Sequence, residues 1–101
     1  MATKYSTVCI TKNIVFIKEN IASVDRILDL LLENDVIQMT EREDIVAKIP
    51  GERVHTMIDL VLKRRQQQVF IDALKRTGQN LIVDKILATQ KEVAQSGKIS
   101  K

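Results

Sequence analysis

The residue types most often used in catalysis are nearly absent from this chain. It has one cysteine, Cys9, and one histidine, His55, and it lacks the spaced motifs of nucleotide-binding loops, serine hydrolases, zinc proteases and dithiol redox sites. One cysteine and one histidine are what chance supplies, and Cys9 fits equally well as a small apolar residue near a helix start. We therefore predict no catalytic residues, no cofactor and no enzymatic activity.

Acidic residues that follow one another closely are the next candidates for chemistry. Glu41, Glu43 and Asp44 are near enough in sequence to ligate a cation, but they lack the glycine and the spacing of a calcium loop. A favourable charge at the start of a helix explains them without a ligand. No metal site is predicted.

The charges are segregated along the sequence, and this is the strongest functional signal from the residues themselves. Between Asp25 and Asp44 there are seven acids and two bases, and between Arg53 and Arg76 six bases and two acids. The acids are Asp25, Asp29, Glu33, Asp35, Glu41, Glu43 and Asp44; the bases are Arg53, Lys63, Arg64, Arg65, Lys75 and Arg76. A protein that docks onto a copy or relative of itself would use both halves, whereas a nucleic-acid binder has little use for the acidic one.

The composition is that of one small globular domain. The chain has 101 residues, 45% hydrophobic and 29% charged, with a net charge of +3. Its aromatic residues are Tyr5, Phe16 and Phe70, so the core must be built from Ile, Leu and Val. A single cysteine allows no disulfide within the chain, which favours a reducing compartment. No apolar run approaches the ~18 residues of a membrane span, and the start resembles no secretory signal, so we predict a soluble, cytoplasmic protein.

The spacing of apolar residues predicts six short helices in an antiparallel bundle. The first covers residues 7–20, where isoleucine recurs every three or four positions from Ile10 to Ile21. Its β-branched residues lower helix propensity, so a strand competes, and a bent or interrupted helix reconciles the two signals. The second helix covers residues 24–33 and begins after Ser23, a residue type that caps helices.

Turn signals delimit the third helix. Thr40 and Glu43 have the spacing of a capping box that opens it, and Pro50 with Gly51 ends it. Its predicted core residues are Ile45, Val46 and Ile49.

Residues 54–79 are typical of two consecutive amphipathic helices. Gly78 ends the second of them, and Asn80 starts the sixth helix of the chain. The strongest core candidates are Leu28, Leu31, Ile58, Val61, Phe70 and Leu74. We predict one domain over residues 1–93, followed by a disordered tail or the start of a linker over residues 94–101.

Several segments resemble the caspase recruitment domain family, a branch of the death-fold superfamily. The resemblance runs from about residue 10 to residue 87, and its carriers are VDRILDLLLENDVI at 24–37, TEREDIV at 40–46, MIDLVLKR at 57–64 and FIDALKRTGQNLIVDKIL at 70–87. The most specific is the F-x-x-A-L-x-x-T-G-Q pattern of residues 70–79. The resemblance implies an all-α fold, a six-helix antiparallel Greek-key bundle with a bent first helix. It also implies a domain that has no enzymatic activity and that binds other domains of its kind.

The resemblance further implies which charges meet. In the best-known contact of the family, bases on the first and fourth helices meet acids on the second and third. With the basic run that follows in the fourth helix, the predicted basic face is Lys12, Lys18, Arg53, His55, Lys63 and Arg64. The predicted acidic face is Asp25, Asp29, Glu33, Glu41 and Glu43. His55 occupies a place where the family often has a second base, which makes this face weaker at neutral pH or responsive to acid.

Leu60 is a possible apolar contact. At 100° per residue it points about 160° away from the core centre of its helix. It therefore either meets a neighbouring helix or belongs to a contact surface.

The predicted function is a homotypic interaction module that recruits or assembles caspases, adaptors or sensors in apoptosis or innate immune and inflammatory signalling. Its expected partners are another protein with such a domain and a second copy of itself, with no membrane. The alternative is a basic helical nucleic-acid-binding domain. That reading needs one acid-free basic surface, which Asp59 and Asp72 interrupt.

Overall fold

A computed structural model describes the backbone of residues 5–99 and the side chains of residues 5–94. The described chain consists of helices and their connections, and it contains no strand. The helices are α1 Val8–Thr11, α2 Ile14–Asn20, α3 Val24–Glu33, α4 Met39–Val46, α5 Pro50–Lys63, α6 Gln67–Arg76 and α7 Asn80–Ile99. The predicted all-α fold is confirmed, with α1 and α2 together occupying the place of the predicted first helix.

The break between α1 and α2 has a polar cause. Asn13 lies at the joint with φ −111° and ψ 17°, and its side chain is buried. Its Nδ2 donates to the backbone carbonyl of Cys9 and to Oγ1 of Thr89 on α7, both at 2.8 Å. A side chain that bonds a carbonyl of the preceding turn interrupts the helical ladder. The structure therefore has an interrupted first helix, as the β-branched residues of this segment indicated.

The core is aliphatic and is centred on α6, which packs against α3, α5 and α7. All six of the strongest core candidates are fully or almost fully buried: Leu28, Leu31, Ile58, Val61, Phe70 and Leu74. The periodicity of α6 did not indicate that Ile71 and Gln67 are buried as well. Because α6 has neighbours on several sides, its buried surface is wider than a single apolar stripe.

Two helix ends are closed by left-handed residues, and one of these residues is the Gly78 that the sequence predicts. Asp35 follows the C-cap of α3 with φ 60°, and Gly78 follows the C-cap of α6 with φ 76°. The amide after each of these residues donates to a carbonyl one turn back, Val36 to Leu31 and Gln79 to Leu74, both at 2.9 Å. These bonds close left-handed caps of the Schellman type.

Helix α4 begins earlier than predicted. Gln38 is the last extended residue, with φ −99° and ψ 163°, and Met39 is the first helical one. Glu41, not Glu43, reaches back to the start of the helix, and its Oε1 accepts from the Gln38 amide at 2.8 Å. The predicted capping box of Thr40 and Glu43 is therefore wrong, because the chain becomes helical before Thr40.

The connection from α4 to α5 also differs from the prediction. Ile49 was expected in the core of the third helix, but it precedes Pro50, is extended, and is 65% exposed. A residue before proline is driven out of the helical region, and proline is well placed as the first residue of a helix. As a result α4 ends at Val46, and α5 starts at Pro50, a turn earlier than residue 54.

Gln79, from the T-G-Q part of the recognisable pattern, ties two connections together. Its Oε1 accepts from the Ala22 amide and its Nε2 donates to the Ala22 carbonyl, both at 2.8 Å. Ser23, next in the chain, is the N-cap of α3 as predicted, but it has φ 54° and no capping bond from its side chain. The start of α3 is therefore held from outside by Gln79, and not by its own capping residue.

Helix α7 starts at Asn80 as predicted and continues to Ile99. The predicted disordered tail or linker start from residue 94 onward stays a prediction, and the described backbone of residues 94–99 is helical. Extending an existing helix needs no new nucleus, so weakly periodic residues join it easily. Residues 100–101 of the predicted tail lie outside the described chain.

We predict that Phe70→Ala destabilises the domain by about 3–5 kcal/mol, because the fully buried ring leaves a cavity in the centre of the core. Chemical denaturation followed by circular dichroism measures this. Leu81→Ala is the control: Leu81 is 65% exposed, so its loss should cost less than about 0.5 kcal/mol. Equal effects for the two variants would contradict the core assignment.

Candidate functional site

Three acids of the predicted acidic face lie along α3. Asp25, Asp29 and Glu33 recur every four residues and are exposed, while Ile27, Leu28 and Leu31 of the same helix are buried. The Asp29 Oδ1 accepts from Nε of Arg42 on α4 at 2.7 Å, so its charge is partly compensated. Asp25 and Glu33 form no ion pair within the described chain.

The two acids predicted on the third helix have different surroundings. Glu43 is exposed, whereas the Glu41 side chain is 27% exposed and is turned toward α5. The Arg64 guanidinium donates Nη1 to Glu41 Oε1 at 2.9 Å and Nη2 to Glu41 Oε2 at 2.5 Å. This two-point pair joins one residue from the predicted acidic face to one from the predicted basic face.

The Arg64 side chain makes a further contact inside the molecule. Its Nη1 also donates to the Val36 carbonyl, in the connection between α3 and α4, at 2.6 Å. The hydrogen bond from Arg64, and then that from the Gln38 amide, lower the pKa of Glu41 to about 2. This network could not be predicted from the sequence, because spacing along a chain does not show which other segment a long side chain reaches.

Two predicted basic residues come together between α2 and α5. Lys18 and His55, both exposed, line one shallow depression with Gly51, Glu52 and Thr56. The exposed Ile49 lies at the same depression. The structure thus brings a lysine, a histidine, an apolar side chain and the acid Glu52 to one surface.

The remaining predicted bases are more scattered. Arg53 is half-buried, and its Nε donates to the Lys48 carbonyl at 2.7 Å, which fixes the connection before α5. Lys63 is exposed but pairs with Asp59 one turn earlier in the same helix, at 3.1 Å. Lys12 is exposed at the C-cap of α1, a helix that packs on α7.

Leu60 lies between the core and the surface beside α4. It is half-buried, packs against the core, and lines a depression with Ile45, Ala47 and Lys48 from α4 and the connection after it. Packing accounts for its partial burial, and its role in a contact surface stays a prediction.

Cys9 and His55 do not form a catalytic pair. Cys9 is fully buried in α1, where its thiol donates to the Ser6 carbonyl at 3.0 Å, while His55 is exposed on α5. Burial raises the pKa of the Cys9 thiol, which disfavours the nucleophilic thiolate. No group of histidine, cysteine and acidic side chains suited to a metal ion occurs in the part of the chain that the structure describes.

The basic residues of α5 and α6 do not form an acid-free surface either. Arg64 is paired with Glu41 and Lys63 with Asp59. Lys75 and Arg76 of α6 share a depression with Asp72. Nucleic-acid binding relies on uncompensated cations along a phosphate backbone, so this arrangement speaks against the alternative function. Among the described helices, none has the combination of length and apolar character that crossing a bilayer requires.

The family model of the caspase recruitment domain matches residues 8–89, from α1 well into α7. The chain belongs to the caspase recruitment domain (CARD) family. CARDs are homotypic protein interaction modules of apoptotic and inflammatory signalling, not enzymes, and they bind other CARD-containing proteins. Searches of curated proteins and of solved structures found no match to this CARD.

We predict that Glu41→Gln lowers the stability of the CARD at neutral pH and flattens its response to acid. A carboxylate with a lowered pKa stabilises the folded state fully above its ordinary pKa of about 4.5, and the stabilisation is lost as the pH falls toward about 2. The difference in the free energy of unfolding between wild type and variant should therefore be widest above pH 4.5 and should narrow below it. Urea denaturation from pH 7 to pH 2.5 measures it, and a difference that does not change with pH would contradict the prediction.

Proposed function

We propose that this CARD assembles head to tail with itself and with other CARDs through opposed charged faces. The acidic face is formed by Asp25, Asp29, Glu33 and Glu43, and the basic face by Lys18, Arg53, His55 and Lys63. The observation that carries the proposal is that α3 and α4 bear exposed acids that form no ion pair within the described residues, while exposed Lys18 and His55 share one surface of α2 and α5. CARD-containing caspases, adaptors or sensors in the cytoplasm are the proposed partners.

Two different complementary faces on one molecule allow an assembly of many copies to form. The acidic face of one copy binds the basic face of the next, which leaves a free face at each end, so the contact extends into a ring or filament. Exposed ion pairs contribute roughly 0.2–1 kcal/mol each, so several must form together. Ile49, exposed beside Lys18 and His55, adds an apolar area that is removed from water when the faces meet.

The internal contacts decide which residues are the best probes. Asp29 pairs with Arg42, and Arg53 bonds to the Lys48 carbonyl, so replacing either one also disturbs the monomer. Asp25 and Lys18 are exposed and form no ion pair within the described chain. Substitutions at these two positions test the faces without breaking an ion pair inside the described chain.

We predict that Asp25→Lys, and separately the double variant Lys18→Ala with His55→Ala, each weaken self-association by roughly two- to tenfold, because each takes from one face charges that contribute roughly 0.2–1 kcal/mol apiece. Each variant keeps the other face, so an equimolar mixture should form a one-to-one complex that does not grow. Light scattering coupled to gel filtration measures both results.

Asp84→Lys is the matched control, since it makes the same charge change at an exposed acid of α7, outside both faces. It should associate like wild type. If Asp25→Lys and the double variant also associate like wild type, the opposed-face contact is wrong, while membership of the CARD family is unaffected.

We also predict that association weakens as salt increases. The Debye length falls from about 30 Å at 0.01 M to about 8 Å at 0.15 M ionic strength, so contacts between exposed charges are screened over this range. Light scattering at a fixed protein concentration across a sodium chloride series measures this. Association that strengthens with salt would indicate an apolar contact instead of a charged one.

A further inference from the structure

Helix α4 has little apolar attachment to the bundle. Its only buried residue is Ile45, and all eight of its residues, Met39–Val46, lie in the described chain. Val46 is half-buried, while Met39 at the start is 56% exposed. A helix of this length is not stable in water by itself, so its position depends on contacts with other elements.

Ion pairs supply those contacts on both sides of α4. Arg42 pairs with Asp29 on α3, and Glu41 pairs with Arg64 at the C-cap of α5. Among the ion pairs of the described chain these two connect different elements, whereas Lys63 and Asp59 lie one turn apart within α5. The ion pairs between elements of the described chain are thus concentrated on a helix that has a single buried residue.

Arg64 joins three parts of the chain at once. It extends from the end of α5, holds the Val36 carbonyl before α4, and binds both carboxylate oxygens of Glu41 in the first turn of α4. The same carboxylate accepts from the Gln38 amide, so the start of the helix is part of this network. A planar guanidinium can donate to both carboxylate oxygens and to a carbonyl at the same time. The ammonium group of a lysine does not offer donors in this arrangement.

We propose that Arg64 is a positioning residue that holds α4, and with it the carboxylate of Glu43, in the orientation that the acidic face requires, and that Arg64 does not itself contact a partner. The effect on assembly rests on the function proposed above. The effect on α4 concerns the monomer and stands independently of it.

Arg64→Lys and Arg64→Gln separate this role from that of a partner contact. Arg64→Lys keeps the positive charge but loses the two-point hydrogen bonding of the guanidinium. If the charge of residue 64 binds a partner, this variant should keep that function. If Arg64 positions α4 through its hydrogen bonds, the variant should lose it. Lys63→Gln is the control, because it removes a neighbouring positive charge whose ion pair connects no two elements.

The measurement is amide hydrogen exchange of residues 42–46, at a dilution where the protein is monomeric. We expect Arg64→Lys and Arg64→Gln to speed exchange in α4 by roughly tenfold or more, because a charged hydrogen-bond network is lost. Lys63→Gln should change it by less than roughly twofold. Exchange in α6 should stay at the wild-type rate in all three variants, which shows that the rest of the bundle remains folded.

Self-association is then measured for the same variants. We expect Arg64→Lys to weaken it nearly as much as Arg64→Gln, although the net charge is unchanged. A wild-type rate of amide exchange in α4 of Arg64→Lys would overturn the proposal. A wild-type rate in Arg64→Gln together with weaker self-association would also overturn it, because Arg64 would then be a partner contact. If α4 loosens as expected while the face variants associate like wild type, the positioning role stands and the opposed-face function fails.

Discussion

Burial of one aliphatic core is the constraint on which the rest of this CARD depends. Its helices are 4–20 residues long, and most are too short to be stable alone, so each must cover apolar surface of another. Phe70 lies fully buried on α6, the helix that packs against α3, α5 and α7. This packing determines where the charged residues lie on the surface, because the buried stripe of each helix decides which of its residues remain exposed.

Helix α4, like α2, has one buried residue, and the composition of α4 explains why. Its exposed positions include Glu43 and Asp44, and its buried surface is almost confined to Ile45. A helix that keeps its acids exposed in this way has little area left for apolar anchoring. Its attachment is therefore polar, through Arg42 to α3 and through Arg64 to α5.

The sequence was informative where a rule involves neighbours along one helix. Spacing of three and four residues identified Leu28 and Ile58 as core, and the conformational freedom of glycine identified the turn at Gly78. The same reasoning failed at Ile49, because its spacing from Ile45 continues a stripe only if the helix continues. Pro50 drives Ile49 out of the helical region, so the stripe does not continue and Ile49 is exposed.

Charges were harder to predict, because periodicity shows which side of a helix a residue occupies but not which element lies opposite. Glu41 and Arg64 were therefore assigned to separate surfaces, although they bind each other. Exposure is likewise a poor guide to availability: the Asp29 side chain is 58% exposed and is already paired. The residues best suited to bind a partner are those that remain exposed after the internal pairs are subtracted, such as Asp25 and Lys18.

The internal and the proposed external ion pairs share one physical property, which couples the fold of this CARD to its assembly. Salt that screens the contact between two copies also screens the pairs that hold α4, although partly buried pairs are screened less than exposed ones. Arg42 and Glu41, one member of each internal pair, are partly buried, whereas Lys18 and Asp25 face solvent. Moderate salt should therefore act first on the contact between copies, and the placement of α4 should persist to higher concentrations. A polar attachment that outlasts the polar interface would keep the acidic face proposed above in one orientation.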